Sequence, residues 1–567
     1  MQKDYVKQAI EKVVNKYGLK SIQFDIETKD NPAFGDFSSN APFLLAKQLK
    51  KSPAEIADQI KNAIGKDKYI EKIEIAGGGF LNFFLKKEFF IDAFLKNKKI
   101  SPARKKVIID YSSPNVAKPM HVGHLRATLI GDFMARLYKF FGYKVISWNH
   151  LGDWGTQFGM LIAGYKKWGS KKKIDKEPIK GLLEIYVRFN KEIKTNPAML
   201  DEAKEEFAKL EKGNKENEKI LDWFLKVSLK EFDQMYKKLG ILKFSVVMGE
   251  SKYKKQLNPL IEDLKKKNIA TLSQGAYIIP LEKFGVPPAL IQKSDGATLY
   301  ITRDIASLIY RIKKYKPDEL IYVLGSQQNL HLKQLFAVAQ IANLSGKAKL
   351  KHISFGWVLG PNGKKLATRT GEIIEASQII NQVITAAKKI VSEKRKDLNS
   401  KKRDEISEKV GIGALKYSFL KDSTNSDIIF DPQKALTLSG NSAPYLQYAL
   451  VRLKSIFKKS EPRLRSASFG VARENFNKLG DLEIGVIKKI NSFEEILEKC
   501  LKESSSHYLA EYLFELANKI NEFYEKTPIL KDADLPRKNA RLLIIKRLIQ
   551  TMETGLDILG IETVEQL

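Results

Sequence analysis

The stretch that most constrains this chain is 107–149. A short apolar run, VIIDY (107–111), passes into the loop SSPNVAKPMHVG, then into helical periodicity to about Phe141, then into a second apolar run, KVISWN (144–149). Short buried strands alternating with helices specify a parallel, doubly wound sheet. Strand-like runs return at AYIIPL (276–281), LIYVLG (320–325) and HISFGWVLG (352–360), separated by helical patterns over 303–315 and 330–343. Residues 165–250 are charged and helical, with no strand signal until ILKFSVVMG, and read as an insertion between two halves of that sheet.

The flanks have other patterns. Residues 1–100 open with two helical patterns, followed by KIEIAGGGFLNFFL (72–85), an alternating run interrupted by three glycines; this predicts a small α+β domain. ISPARKK (100–106) reads as a linker. After Asp431 no strand pattern remains, and apolar periodicity over 440–457, 484–500, 506–526 and 538–558 predicts a helical bundle. The expected division is therefore 1–100, 101–433 and 434–567, in keeping with 567 residues being too many for one core.

Composition bounds the function. With 43% hydrophobic and 29% charged residues the chain is not a disordered one. It carries 98 Lys+Arg against 66 Asp+Glu, a net +32, distributed as +5, +24 and +3 over the three divisions. A basic surface gains affinity for a phosphate backbone by releasing counterions, so a polyanionic partner is one reading; a lysine-rich background is the other. The single cysteine, Cys500, allows no intramolecular disulfide and no zinc site built on four cysteines or on a cysteine pair with a histidine pair. No apolar stretch approaches the ~18–20 residues of a membrane helix, and the N-terminus reads as an amphipathic helix rather than a signal peptide. A cytoplasmic protein without membrane contact is expected.

The chemistry concentrates in Asp110–Gly131, DYSSPNVAKPMHVGHLRATLIG. A strand runs into a loop that sets His121, Gly123 and His124 where a helix begins, and there free amides and the helix dipole favour anions. Two imidazoles three apart share a face, Gly123 lets a ring or backbone approach closely, and Lys118 adds a mobile cation. The set suits a nucleotide triphosphate and charge stabilisation during attack on phosphorus. The other reading is a helix cap with incidental histidines.

These residues closely resemble the HIGH signature of class I aminoacyl-tRNA synthetases, and SPNVAKPMHVGHLR with NHLGDWGTQFG (149–159) resembles the arginyl-tRNA synthetases in particular. The resemblance implies an α/β fold class: a Rossmann-type doubly wound parallel-sheet catalytic core, an N-terminal α+β domain and a C-terminal all-α anticodon-binding bundle of DALR type. It implies that His121 and His124 stabilise the transition state of adenylate formation, that Asn115 holds the amino acid, and that Lys118 supports the phosphates. GPNGKKLATRTGE (360–372) stands where class I enzymes carry KMSKS, with Lys365 and Arg369 as cations and Leu366 and Thr368 beside the nucleotide together with Gly123. Ala367 and Thr368 depart from that motif, and Lys118 is thought to compensate for the missing second lysine.

A guanidinium substrate needs a carboxylate that accepts two hydrogen bonds. Tyr300 and Asp304 lie four apart in LYITRDIASLIY, and Gln327, Gln328 and His331 follow the strand LIYVLG. An Asp at a helix start can instead be a cap; the resemblance selects Asp304 as guanidinium partner with Tyr300 and Gln328 orienting. In SAPYLQYALVRLKSIF (442–457) periodicity alone gives a core helix, whereas the resemblance makes Tyr445, Gln447 and Tyr448 candidates for anticodon contact. Asn40, with Phe37, is a candidate contact to the tRNA elbow.

The implied reaction joins L-arginine and ATP to arginyl-adenylate and pyrophosphate, then moves the arginyl group to the terminal ribose of tRNA(Arg). ATP with Mg2+ is expected, with no zinc, no redox cofactor and no dedicated metal cage, in a monomeric enzyme. Two other classes are disfavoured. A non-catalytic RNA-binding paralogue should have lost the histidine pair or Asp304, and a Rossmann oxidoreductase needs a glycine-rich turn where this chain has SSPNVAKP.

Overall fold

The computed structural model describes residues 2–16, 23–29, 31–96, 101–366, 374–460 and 472–567. The chain forms two compact units. One comprises 1–99, 449–498 and 515–553; the other comprises 100–448, 499–514 and 554–567. Apart from the break at 99/100, the units divide the chain differently from the sequence pattern.

The larger unit is built on a five-stranded sheet of β1 (Lys106–Asp110), β2 (Lys144–Leu151), β3 (Val246–Gly249), β4 (Glu319–Gly325) and β5 (Lys349–Phe355). Its order is β5-β4-β1-β2-β3 and every pairing is parallel. Val107, Ile108 and Ile109 of the central strand are fully buried, as a sheet covered on both faces requires. The chain leaves β1 toward β2 and β3 and later returns on β1's other side to form β4. A crevice at the carboxyl ends of β1 and β4 is the topological result.

Helix α1 (Val122–Phe140) follows β1, α2 (Tyr300–Tyr315) precedes β4 and α3 (Asn329–Ile341) follows it. Helix α1 is buried nearly all round, with Leu125, Leu129, Phe133 and Met134 in the core. Gly131 lets it lie directly on the Tyr111 ring, which a Cβ there would overlap.

The insertion is helical, as expected: Thr156–Trp168, Lys171–Lys176, Pro178–Thr195, Ala198–Glu211 and Lys215–Lys238 precede β3. One strand expectation is corrected. AYIIPL does not join the parallel sheet; Ala276–Ile279 is the middle strand of a separate antiparallel sheet with Thr271–Ser273 and Ala289–Gln292. The cause is local, because Gln274 (φ 49°) and Gly275 (φ 80°) form a two-residue turn with both residues left-handed, the geometry that closes a tight hairpin. HISFGWVLG also divides: β5 ends at Phe355, and Val358–Leu359 pairs instead with Ile428–Ile429.

In the smaller unit a four-stranded antiparallel sheet includes Ile70–Ala76 and Phe80–Leu85, joined through Gly77–Gly79, all at positive φ. The glycine run is thus a strand turn. Beyond Ile429 every regular element of the described residues is a helix, including Ala443–Lys459, Asp481–Asn491, Phe493–Glu503, His507–Lys526 and Leu535–Ile558. No helix among the described residues is long and apolar enough to cross a membrane.

Gly131→Ala should force α1 away from Tyr111 and destabilise the larger unit by about 1–3 kcal/mol, the usual cost of overpacking. A lowered urea midpoint with unchanged helical circular dichroism is the expected result.

Candidate active site

Helix α1 begins with a reciprocal cap made by two histidines. His121 is the N-cap, and its Nδ1 accepts hydrogen bonds from the amides of Gly123 (3.0 Å) and His124 (3.4 Å). His124 Nδ1 accepts from the His121 amide at 3.2 Å. The rings stack with centroids 3.7 Å apart, and a Cβ on Gly123 would come within 2.9 Å of His121 Cε1, so the glycine makes room for the ring. Burial lowers the His121 pKa, and burial with the neighbouring His121 pulls His124 down to about 3. Both rings are therefore neutral. With each Nδ1 acting as acceptor, the ring proton resides on Nε2. The capping reading holds, and the cap selects the tautomer that leaves two Nε2–H donors.

The loop between β1 and α1 is held from several sides. The Ser113 amide donates to Asn149 Oδ1 (3.1 Å), and Ser112 Oγ bonds the Tyr236 hydroxyl (2.7 Å). The amides of Ala117 and Val116 donate to Ser228 Oγ (3.2 Å) and the Gly152 carbonyl (3.1 Å). Asn115 lies against Gly152, where a Cβ would overlap its Oδ1. Asp153 accepts from the amide and hydroxyl of Ser251 at 2.9 and 2.6 Å. NHLGDWG is therefore a set of braces for this loop and for the turn after β3. Lys118 Nζ rests 4.6 Å from the centroid of the Tyr186 ring.

The basic loop begins as a short hairpin, with the Gly360 amide donating to the Lys364 carbonyl at 2.8 Å. Lys365 Nζ lies 3.6 Å from the Trp357 ring centroid, and the partly buried Leu366 donates its amide to the Val358 carbonyl at 3.3 Å. Beyond the loop, Val122 donates to the Ile374 carbonyl (3.2 Å) and Ala376 to the Met120 carbonyl (2.8 Å), so the chain returns to the histidines. Thr368 and Arg369 fall outside the described residues.

A cluster of carboxylates and histidines lies at the carboxyl end of the same sheet. Asp304 Oδ2 bonds His331 Nε2 at 2.6 Å, and Oδ1 lies 4.0 Å from His150 Nε2. Burial would raise the Asp304 pKa, but the His331 hydrogen bond and the charges of His331, His150 and Arg311 outweigh it and hold Asp304 below its ordinary value. Glu250 is paired with Arg303 Nε at 2.8 Å, and burial pushes it up to about 7 despite that partner. Tyr300 is exposed beneath the Arg303 guanidinium (4.9 Å to the centroid), and Gln328 is exposed at the turn after β4. Below the cluster, Asp110 and Arg311 form a buried ion pair at 2.7 Å, with Trp148 and Tyr322 against the guanidinium. Sequence reasoning left His150, Glu250 and Arg311 unassigned. Each reaches the cluster from a different element, so no local spacing marks them.

Of the remaining candidates, Gln447 is corrected in orientation. It is fully buried and its Nε2 donates to the Glu562 carbonyl at 2.8 Å, so it holds the C-terminal segment. Tyr445 is half-buried near Phe514, and Tyr448 is 37% exposed at a cavity of about 220 Å³ that Leu567 also lines. Asn40, in the smaller unit, is the N-cap of helix Ala41–Leu49 without a side-chain capping bond. Among the described residues no three His, Cys, Asp or Glu side chains are grouped to hold a metal.

Three family models match in succession: an arginyl tRNA synthetase N-terminal domain over 2–85, a class I (R) tRNA synthetase catalytic domain over 90–432, and a DALR anticodon-binding domain over 446–567. An arginine–tRNA ligase of Clostridioides difficile is 37% identical, with 99% of each chain covered; one of Clostridium kluyveri is 36% identical, with both covered in full. The crystal structure of the Plasmodium falciparum arginyl-tRNA synthetase superposes with a TM-score of 0.85 at 27% identity, covering 100% of this chain and 99% of the other.

Asp110→Asn should strand the Arg311 charge in the core and cost about 3–5 kcal/mol of stability, the penalty for breaking a buried pair. Chemical unfolding of the variant measures it.

Proposed function

The chain belongs to the class I arginyl-tRNA synthetases, and from that premise we propose how its residues perform the arginine–tRNA ligase reaction. A carboxylate oxygen of L-arginine attacks the α-phosphorus of ATP as the bond to pyrophosphate breaks. The 3'-terminal ribose hydroxyl of tRNA(Arg) then attacks the adenylate carbonyl, and AMP leaves. No protein nucleophile is required, so the enzyme's work is to position reactants and stabilise phosphate charge.

The observation that carries the reading is the neutral histidine pair with its two Nε2–H groups left free for an anion. His121 and His124 donate to the phosphoryl oxygens where charge develops, and Gly123 lets the nucleotide approach. Lys118 on one side, and Lys365 with Arg369 on the other, follow the pyrophosphate; Leu366 and Thr368 flank the nucleotide. ATP enters as its magnesium complex, the metal travelling with the phosphates rather than held in a cage of the protein. Asn115 fixes the amino-acid end of the substrate, while Asp304 takes the guanidinium with Tyr300 and Gln328 as orienting groups. His331 already uses Oδ2 of Asp304, which leaves Oδ1 and the nearby Glu250 to face a cation.

Division of the chain into an elbow-binding 1–100, a catalytic 101–433 and an anticodon-binding 434–567 belongs to the same proposal. In it Asn40 touches the tRNA elbow and Tyr445 and Tyr448 meet the anticodon, with Gln447 supporting them from behind. The +24 carried by 101–433 supplies the phosphate attraction. The enzyme acts as a monomer in the cytoplasm.

Arginine-dependent ATP–pyrophosphate exchange, with and without tRNA(Arg), tests the reaction; well-folded protein inactive under both conditions overturns it. Asp304→Asn should raise KM for arginine about 10–100-fold, the value of a charge-assisted hydrogen bond; an unchanged KM removes Asp304 from the pocket. Glu250 gains a proton as the pH falls through about 7, and the pocket loses negative charge. KM for arginine should therefore rise as pH drops from 8 to 6, and Glu250→Gln should flatten that profile at its high end.

A further inference from the structure

Arg126 lies two residues beyond His124, in the first turns of α1, and is 0% exposed. A buried guanidinium ordinarily sits against a carboxylate. This one spends its fork on backbone: Nη1 donates to the carbonyls of Gly356 (2.6 Å) and Trp357 (3.1 Å), Nη2 to those of Thr424 (3.3 Å) and Ser426 (2.8 Å). The Phe355 ring covers it at 5.7 Å, and the charges of Asp427 and Asp422 only partly offset the burial that pulls it down to about 10. None of the steps proposed for the reaction uses it.

Two of the carbonyls belong to the segment that leads into the Lys365 loop, and two to the segment before Ile428–Ile429, the strand that pairs with Val358–Leu359. These are stitched to each other: Ile428 donates to the Trp357 carbonyl (2.9 Å), Phe430 to that of Leu359 (2.8 Å), and the Trp357 amide to Asp427 Oδ1 (2.6 Å). Trp357 is the shared element. Arg126 holds its carbonyl, Asp427 its amide, and its ring carries the Lys365 ammonium. On the far flank of the loop, Ile374 and Ala376 are bonded to Val122 and Met120. Both flanks are thus fastened to the start of α1, one by backbone pairing and the other by the hydrogen bonds of the Arg126 side chain.

We propose that Arg126 is a positioning residue for adenylate formation: through Trp357 it sets the base of the Lys365 loop at a fixed distance from the His121–His124 pair, so that one triphosphate meets both. The inference rests on the reading of those histidines and of Lys365 as the phosphate-facing groups. A planar fork with donors on two nitrogens reaches four carbonyls in two segments, whereas a lysine ammonium has three donors on one atom and cannot span them. The residues around Asp304 come from β2, α2, α3 and the turn after β3, whereas the hydrogen bonds of Arg126 go to Gly356, Trp357, Thr424 and Ser426.

The test is ATP–pyrophosphate exchange by the full-length enzyme carrying Arg126→Lys, Trp357→Leu or Lys365→Ala, and the two doubles with Lys365→Ala. Arg126→Lys and Trp357→Leu should each lower kcat tenfold or more while KM for arginine stays within twofold. Because they act through Lys365, each should cost less than threefold once Lys365 is alanine. The partly exposed Trp357 keeps the test decisive if Arg126→Lys fails to fold. Equal losses in both backgrounds, or a KM for arginine rising with the loss of kcat, overturn the proposal alone. If Lys365→Ala and His124→Ala both leave exchange intact, the reading of the site falls and this inference with it.

Discussion

The loop that leaves β1 is the constraint around which the larger unit is organised. Ser112, Ser113 and Ala117 all stand at positive φ (73°, 47° and 63°), three left-handed non-glycine residues within six positions. Each costs on the order of 1 kcal/mol or more and persists only where the surroundings over-determine it. The surroundings here come from β2 through Asn149 and Gly152, from the insertion through Ser228 and Tyr236, and from α1 through Thr128, whose hydroxyl donates to Ser112 Oγ at 2.8 Å. The insertion is thus part of the site. Its last long helix supplies the hydroxyls that let the loop bend sharply enough to present His121 at the head of α1.

That dependence explains what the sequence disclosed. The strand–loop–helix–strand of 106–151 is local, its strands buried on both faces and its loop carrying a dense motif, so fold and histidine pair are both legible from the residues. AYIIPL has the same apolar appearance yet belongs to another sheet, because a short apolar run does not say with which strand it pairs and two residues, Gln274 and Gly275, decided it. Gln447 is polar on a helix that otherwise reads as core, and polarity suggested an outward contact. Burial against the Glu562 carbonyl, 115 positions away, is invisible to periodicity. Spacing from Tyr300 leaves Asp304 open between a cap and a guanidinium partner and only the resemblance selects it, while Glu250, His150 and Arg311 come to it from the β3 turn, from β2 and from α2, a convergence that only the folded chain expresses.

The two halves of the crevice handle charge in opposite ways. The half-buried Asp304 carboxylate keeps its negative charge through the His331 hydrogen bond and the neighbouring His150 and Arg311. The head of α1 does the reverse: it ends the crevice with two neutral stacked rings, at the place proposed for the phosphates. An imidazolium pair stacked at 3.7 Å would repel itself, and burial removes the proton before that happens.

Neutrality there suits the chemistry. A fixed cation pair would hold the triphosphate and the departing pyrophosphate about as firmly as the transition state, and binding that is uniform along the reaction does not raise its rate. Neutral Nε2–H donors, preorganised by the cap, gain most at the oxygens where charge grows. Full positive charge is left to side chains that can move. Lys118 and Lys365 both lie on aromatic faces, Tyr186 at 4.6 Å and Trp357 at 3.6 Å, contacts worth about 0.5–1 kcal/mol at exposed sites. So weak a hold is readily exchanged for a charge-assisted bond to a phosphate, the role proposed for both lysines. In the proposed reaction, neutral ring donors and cations resting on aromatic faces thus divide the work of binding a polyanion and then releasing part of it.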